Sequence, residues 1–238
     1  MHDIAFDGMH DEIVVTSPLA QAILSFRGAA NGEEAPLRVI QGNKTQIMGV
    51  GATGKVSIDP VHDEIFLATP NNTILAFNRM DQGNVAPSRI LGGPETQLSL
   101  GQQTNGGGNV PCIRIDPIHN LLIVPRGGYG GGKVLVYDRT ASGNTAPRAS
   151  IRGPVGMGNQ FEVYAPKMRL VTHSKGNIEI WKIPMEGEST EAPIKIPAPL
   201  GRQSSDVGLV LDPVHKEVIV ATAAGNAVMT FSVPEAFD

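Results

Sequence analysis

Asp59, His62, Asp63 and Glu64 fall within the six residues DPVHDE. Carboxylates and an imidazole can bind a metal, and a carboxylate beside a histidine can orient it for acid–base chemistry. Alone, the stretch reads as a site. The chain repeats it, however. IAFDGMHDEIVVT begins at Ile4, VSIDPVHDEIFLAT at Val56, IRIDPIHNLLIV at Ile113 and LVLDPVHKEVIVAT at Leu209, and a weaker copy, EVYAPKMRLVT, begins at Glu162. The reference positions Asp7, Asp59, Asp116, Ala165 and Asp212 are 52, 57, 49 and 47 residues apart. Metal ligands must converge, whereas His10, His62, His119 and His215 come one to a repeat. Recurrence therefore predicts a structural hairpin. Asp first and Pro second suit a type I turn, with the histidine bonded inside its own hairpin.

Other chemistry-bearing stretches fail their own tests. GGYGGGKV, residues 127 to 134, approaches a phosphate-binding loop, but Val134 stands where a hydroxyl residue would hold magnesium. The segment also leads into the strand-like KVLVYD, so no helix N-terminus is available to a phosphate. Cys112 is a lone thiol with no ligand partner at metal spacing and reads as a core residue. No nucleophile-elbow pattern occurs. A channel-mouth hydrolase would need converging carboxylates, and the first strands offer only the mixed set Asp3, Lys55, Ser57, Arg114, Glu162 and Asp206. No catalytic, cofactor or metal residue is expected.

The elements that hold these residues follow the repeat. After each first hairpin comes a further apolar run: AILSF, TILAF, KVLVY, NIEIW and AVMTF. Four copies then show a proline-led segment: APLRVIQG, APSRILGG, APRASIRG and APIKIPAP. The runs are short, rich in β-branched residues and bounded by Gly, Pro, Asn or Asp, so they are strands. Each unit is four antiparallel strands, here a to d. A sheet with two apolar faces at this period predicts a β-propeller of four-stranded blades. The aromatic ending strand c, Phe26, Phe77, Tyr137, Trp181 or Phe231, is then a core residue. One domain is expected over 1–238, with units near 3–55, 56–111, 112–160, 161–207 and 208–238. The fifth lacks a strand d, which leaves its strand c as an edge. Five blades are expected, the alternative being a six-bladed ring completed by another segment.

The pattern resembles the NHL-repeat class of propellers. That repeat has an apolar strand ending in Asp, a Y-V-A-D-like strand and an N-x-R-I-x-V-F-like strand; VSID, IFLAT and NNTILAF take those places in the second copy. The aspartate that commonly ends the second strand is replaced by Thr16, Thr69, Pro125, Thr172 and Thr222. The resemblance implies strand a innermost and strand d outermost. The class includes both binding scaffolds and enzymes, so it implies a fold more than an activity.

Composition narrows the partners. The net charge of −4 and the absence of a basic run argue against nucleic acid. No apolar run reaches membrane-spanning length, which leaves peripheral association with a membrane complex open. MHDIAFDG lacks the regions of an export signal, so the sequence as given reads as cytoplasmic, or as periplasmic or extracellular if processed. The a–b and c–d turns repeat, whereas the b–c loops and d–a crossovers read as variable. Function is expected on that second face. The expectation is a non-catalytic scaffold, a subunit of a larger assembly, binding a protein partner through Arg126, Tyr129, His173, Lys175, Arg202 and Gln203. The alternative is a small-molecule hydrolase or lactonase with a site at the mouth of the central channel.

Overall fold

The structure is a computed structural model, and it describes residues 3–48, 55–98, 112–126, 132–153, 161–174, 176–198, 206–222 and 226–238. Among these residues the only helices are three-residue 3-10 turns. Blade one has β1 (Ile4–Asp7), β2 (Glu12–Ser17), β3 (Ala22–Arg27) and β4 (Arg38–Gln41). Blade two has β5 (Val56–Asp59), β6 (Glu64–Ala68), β7 (Ile74–Asn78) and β8 (Arg89–Leu91). Blade three has β9 (Arg114–Asp116), β10 (Leu121–Arg126), β11 (Lys133–Asp138) and β12 (Ala149–Arg152). Blade four has β13 (Phe161–Tyr164), β14 (Arg169–Ser174), β15 (Asn177–Lys182) and β17 (Ile194–Pro197), with a short β16 (Gly187–Ser189) between its third and fourth strands. Blade five has β18 (Asp206–Asp212), β19 (Glu217–Thr222) and β20 (Ala227–Ser232). Strand order follows chain order in every blade, with β16 added to the outside of blade three. The chain is an all-β, five-bladed β-propeller whose fifth blade shows three strands among the described residues.

Register confirms the repeat and corrects it in one place. Asp7 faces Glu12, Asp59 faces Glu64, Asp116 faces Leu121 and Asp212 faces Glu217 across the a–b hairpin. In blade four Tyr164 faces Arg169, so the reference position is Tyr164 and not Ala165. Ala165 opens a 3-10 turn, Ala165–Lys167. Without the aspartate that receives the turn's N–H groups elsewhere, the chain satisfies them by local 3-10 bonding. All five hairpins close on a left-handed residue: Asp11, Asp63, Asn120, Met168 or Lys216, each with φ between 51° and 55°. The carbonyl of that residue accepts the N–H two places after the strand-c aromatic, at 2.6 to 2.9 Å.

Two compact units divide the chain: Met1–Arg126 with Tyr137–Pro147, and Gly127–Val136 with Arg148–Asp238. The first holds a cluster built on Val14, Ile23, Ile40, Ile65, Leu75 and Phe77. The second holds one built on Val171, Ile178, Leu209, Val218, Val220 and Phe237. Burying each such side chain contributes roughly 1.5–3 kcal/mol. Phe77 and Tyr137 are fully buried and Trp181 is 6% exposed, as core residues; Phe26 and Phe231 are half-buried.

Candidate functional site

The Asp–His stations are hairpin staples. Asp59 Oδ1 accepts the N–H groups of Val61 and His62, and Asp59 Oδ2 meets His62 Nδ1 at 2.8 Å. Asp7 with His10, Asp116 with His119 and Asp212 with His215 repeat this. The carboxylates of Asp7, Asp59 and Asp116 are wholly buried. Proline and small or apolar residues fill the turn while the aspartate does what a turn backbone cannot, bonding two successive N–H groups. In blade five Asp212, His215 and Glu217 place one ligand-type atom each within 4.8 Å of the others. The first two are already bonded to each other as in the other hairpins, and the group is solvent-facing. The hydrogen bond and charge of Asp212 raise the His215 pKa, and the bond to His215 holds Asp212 below the ordinary carboxylate range.

The same face carries an ion-pair system that the sequence reading missed. Glu12 is the first residue of β2, and Arg38 from the fourth strand of its own blade pairs with it. Arg79 from blade two reaches Glu12 at 3.1 Å. Blade two repeats the arrangement: Glu64 takes Arg89 at 2.6 Å and Arg139 of blade three. Arg139 also donates to Asn120 Oδ1 at 3.0 Å and lies 3.4 Å from Asp59 Oδ2. Arg38 and Arg89, on the fourth strands, are largely buried and pair within their own blades, and Arg38 Nε also donates to the Arg79 carbonyl of blade two at 3.0 Å. The guanidinium of Arg89 lies over the Phe66 ring, 5.9 Å from its centroid. Lys195 on β17 is exposed and pairs with Glu179 at 3.2 Å. The signal was present in the sequence as Glu five places after the reference aspartate and Arg two places after the aromatic. In blade three the first of these positions is Leu121, and in blade four the second is Ile183; both are buried.

The opposite face is described in part. Its crossovers were read as variable, and the first residues of those after blades one and two prove otherwise. Gly42 and Gly93 precede 3-10 turns at Asn43–Thr45 and Pro94–Thr96, each followed by a left-handed glutamine. Thr45 and Thr96 are buried and donate to the Gly42 and Gly93 carbonyls. The recurring G-x-x-T-Q pattern is thus structural.

Arg126 ends β10 and is half-buried, and its Nε is buried with no hydrogen-bond partner among the described residues. It lies near Tyr137, whose phenol burial pushes well above its ordinary range, the Arg126 charge opposing that shift. The Tyr137 hydroxyl donates to the Thr96 carbonyl. His173, expected in a loop, is a buried residue of β14, 5% exposed, with Nε2 3.1 Å from the Ala198 carbonyl oxygen. Burial along β14 from Leu170 to Ser174 removes it from the exposed contacts. Tyr129, Lys175, Arg202 and Gln203 lie outside the described residues. The structure therefore does not bring the six together as one described surface.

Among the first-strand polar set, Asp3, Lys55 and Arg114 are engaged with backbone or with each other. Asp3 Oδ2 accepts the Val56 N–H at 2.9 Å and its other oxygen lies 3.9 Å from Lys55 Nζ. Arg114 Nη1 donates to the Ile113 carbonyl at 2.8 Å. A recess between blades one and two is lined by Thr16, Ser17, Ile47, Met48, Leu67 and Thr69 among others, with no titratable side chain among the described residues. No helix among the described residues is long and apolar enough to cross a membrane. No model of a known protein family matches the chain, and no curated protein matches it either.

Proposed function

We propose that the chain is a non-catalytic, NHL-like propeller that binds a protein partner through its b–c loop and d–a crossover face. The observation that carries this reading is the buried Arg126 Nε at the b–c end of blade three, which has no hydrogen-bond partner among the described residues. On the turn face the recurring carboxylates, Asp7, Asp59, Asp116, Glu12 and Glu64, are tied to turn N–H groups, histidines or arginines of this chain. Arg89 on the turn face also has buried nitrogens without a hydrogen-bond partner among the described residues, but its guanidinium is ion-paired with Glu64 at 2.6 Å, whereas Arg126 forms no such pair among those residues. Unmade bonds of a buried charged group cost free energy, and a partner carboxylate relieves that cost. Tyr129, Lys175, Arg202 and Gln203 extend the contact set in sequence and add charge suited to an acidic partner.

The test is cross-linking mass spectrometry on a native complex, followed by substitution. Arg126→Ala combined with Tyr129→Ala and Arg202→Ala is expected to lower partner affinity tenfold or more (about 1.4 kcal/mol or more) while leaving the melting temperature nearly unchanged. Val61→Ser with Ile118→Ser, two exposed residues of the turn face, is expected to leave it intact. Loss of binding in the second variant and not the first would refute the face assignment.

A further inference from the structure

In blades one to four the third strand carries a fourth on its outer side. The first backbone acceptor it offers is the carbonyl one place before its aromatic: Ser25 accepts from the Leu37 N–H, Ala76 from Ser88 and Val136 from Arg148, at 2.7 to 2.9 Å. The counterpart in blade five is Thr230, one place before Phe231. There, among the described residues, β20 is the outer edge of its sheet.

Beside the open edge, β20 also has an uncovered side-chain face. Three places before the aromatic stand Ile23, Ile74, Val134 and Ile178, none more than 2% exposed, whereas Val228 at the same place is 71% exposed. The residues that directly follow β20 are committed elsewhere. Val233, Ala236 and Phe237 enter the core of the second unit, and the Phe237 ring meets Tyr164 edge-on at 5.0 Å. The edge itself, AVMTFS, bears none of the charges or prolines that blunt exposed strands elsewhere.

We propose that this edge receives an extended segment of a partner protein with the chemistry of the chain's own fourth strands: proline-led, with one arginine or lysine among β-branched residues, antiparallel to β20. Charge fixes the register. Arg38 lies opposite Ser25 and Arg89 opposite Ala76, and from there each reaches the glutamate that begins the second strand of its blade, Glu12 or Glu64. Glu217 begins β19 at that position, so a cation opposite Thr230 is placed to meet it. Main-chain bonds to Val228 and Thr230, whose N–H and C=O groups share the outward side, supply the ladder. A second copy fits less well: its own fourth strands are already paired, and β20 has no cation to offer Glu217.

The experiment uses the intact chain and a fluorescein-labelled, acetylated peptide with the sequence of residues 35–42, APLRVIQG. Saturable binding by fluorescence anisotropy is expected, with slowed hydrogen exchange at the Val228 and Thr230 amides. Replacing the peptide's arginine by alanine is expected to weaken binding roughly three- to fivefold, the scale of a part-exposed ion pair. Glu217→Gln is expected to weaken the parent peptide to the same level and to leave the alanine peptide unchanged. These changes leave the protein backbone untouched, so the result does not hinge on refolding of a variant. No saturable binding up to about 1 mM, a ceiling that still detects about −4 kcal/mol, would overturn the proposal. So would protection confined to β3, showing exchange with β4. Concentration-dependent protection of β20 without peptide would overturn it in favour of a second copy.

Discussion

At Asp59 one buried carboxylate receives two turn N–H groups, a histidine Nδ1 and the flank of Arg139. Asp59→Ala should orphan these donors together and cost about 2–4 kcal/mol. Asp212→Ala in blade five, where the carboxylate is 29% exposed, should cost less because water replaces the lost acceptor. Urea denaturation of the two variants compares them directly, and equal losses would contradict the staple argument. The blade-five pair also sets a pH dependence. His215 is raised above its ordinary value of about 6.5, so its contribution is complete below that value and is lost as pH rises through the folded pKa. Asp212 is lowered from about 3.9, so its contribution is complete above that value and is lost as pH falls through its folded pKa. The hairpin is therefore held best between about pH 4 and 6.5. Proton NMR should find His215 titrating above its ordinary value and returning toward it in Asp212→Asn. The Asp–His role was legible in the sequence because both partners lie three residues apart and recur. The Glu64–Arg139 pair was not, because its partners are 75 residues apart and meet only when two blades pack.

Between blades, the c–d connection does more than turn the chain. The c–d turn was legible as a repeated turn leading to a proline-led strand, but its second task appears only in the folded molecule. Gly83 bridges in parallel to Ile40 of blade one, Gly143 to Leu91 of blade two, and β16 of blade four pairs with β12. The following side chain hooks the neighbour: Asn84 Oδ1 accepts the Lys44 N–H and Asn144 Oδ1 that of Glu95, both at 2.8 Å. In blade four Glu188 replaces asparagine and takes Lys133 and Arg152, whose hydrogen bonds hold its carboxyl below the ordinary range. Gly93 is the tight point. It sits at φ 126°, and an added Cβ would meet Asn144 Oδ1 at 2.4 Å. Gly93→Ala should therefore cost about 2–4 kcal/mol, from backbone strain plus a displaced hook. Gly83→Ala, with a φ of 78° but open space around it, should cost only the backbone share, about 1–2 kcal/mol. Thermal or urea unfolding of both separates the two contributions. The one-residue misplacement of blade four has a related cause: without Asp at the turn, the local pattern no longer marks where the hairpin folds.

For the molecule as a whole, repetition made the architecture readable, since five copies of one strand order leave few alternatives to a propeller. Loop chemistry was less readable, because a recurring cap such as Gly42–Gln46 looks like an unpatterned crossover until its buried threonine is seen. Repeat construction also predicts how stability is distributed. Each blade is held by its own ladder, and clasps join blade one to two and two to three, so local stability should follow how many sides of a strand are covered. In blade two, β6 and β7 are buried along nearly their whole length and flanked by strands on both sides. In blade five, β20 is mostly exposed and has one strand neighbour among the described residues. Native-state hydrogen exchange should show the outward amides of Val228 and Thr230 opening with the least free energy among the described strands. The amides shared by β19 and β20 should follow, below those of β6 and β7 by at least about 2 kcal/mol. Residues of the Glu12–Arg79 and Glu64–Arg139 clasps should exchange with the most stable set, since breaking them requires two blades to part. Uniform opening energies across blades two and five would mean that the chain unfolds as one indivisible unit, and that the open edge of β20 carries no local weakness for a partner strand to relieve.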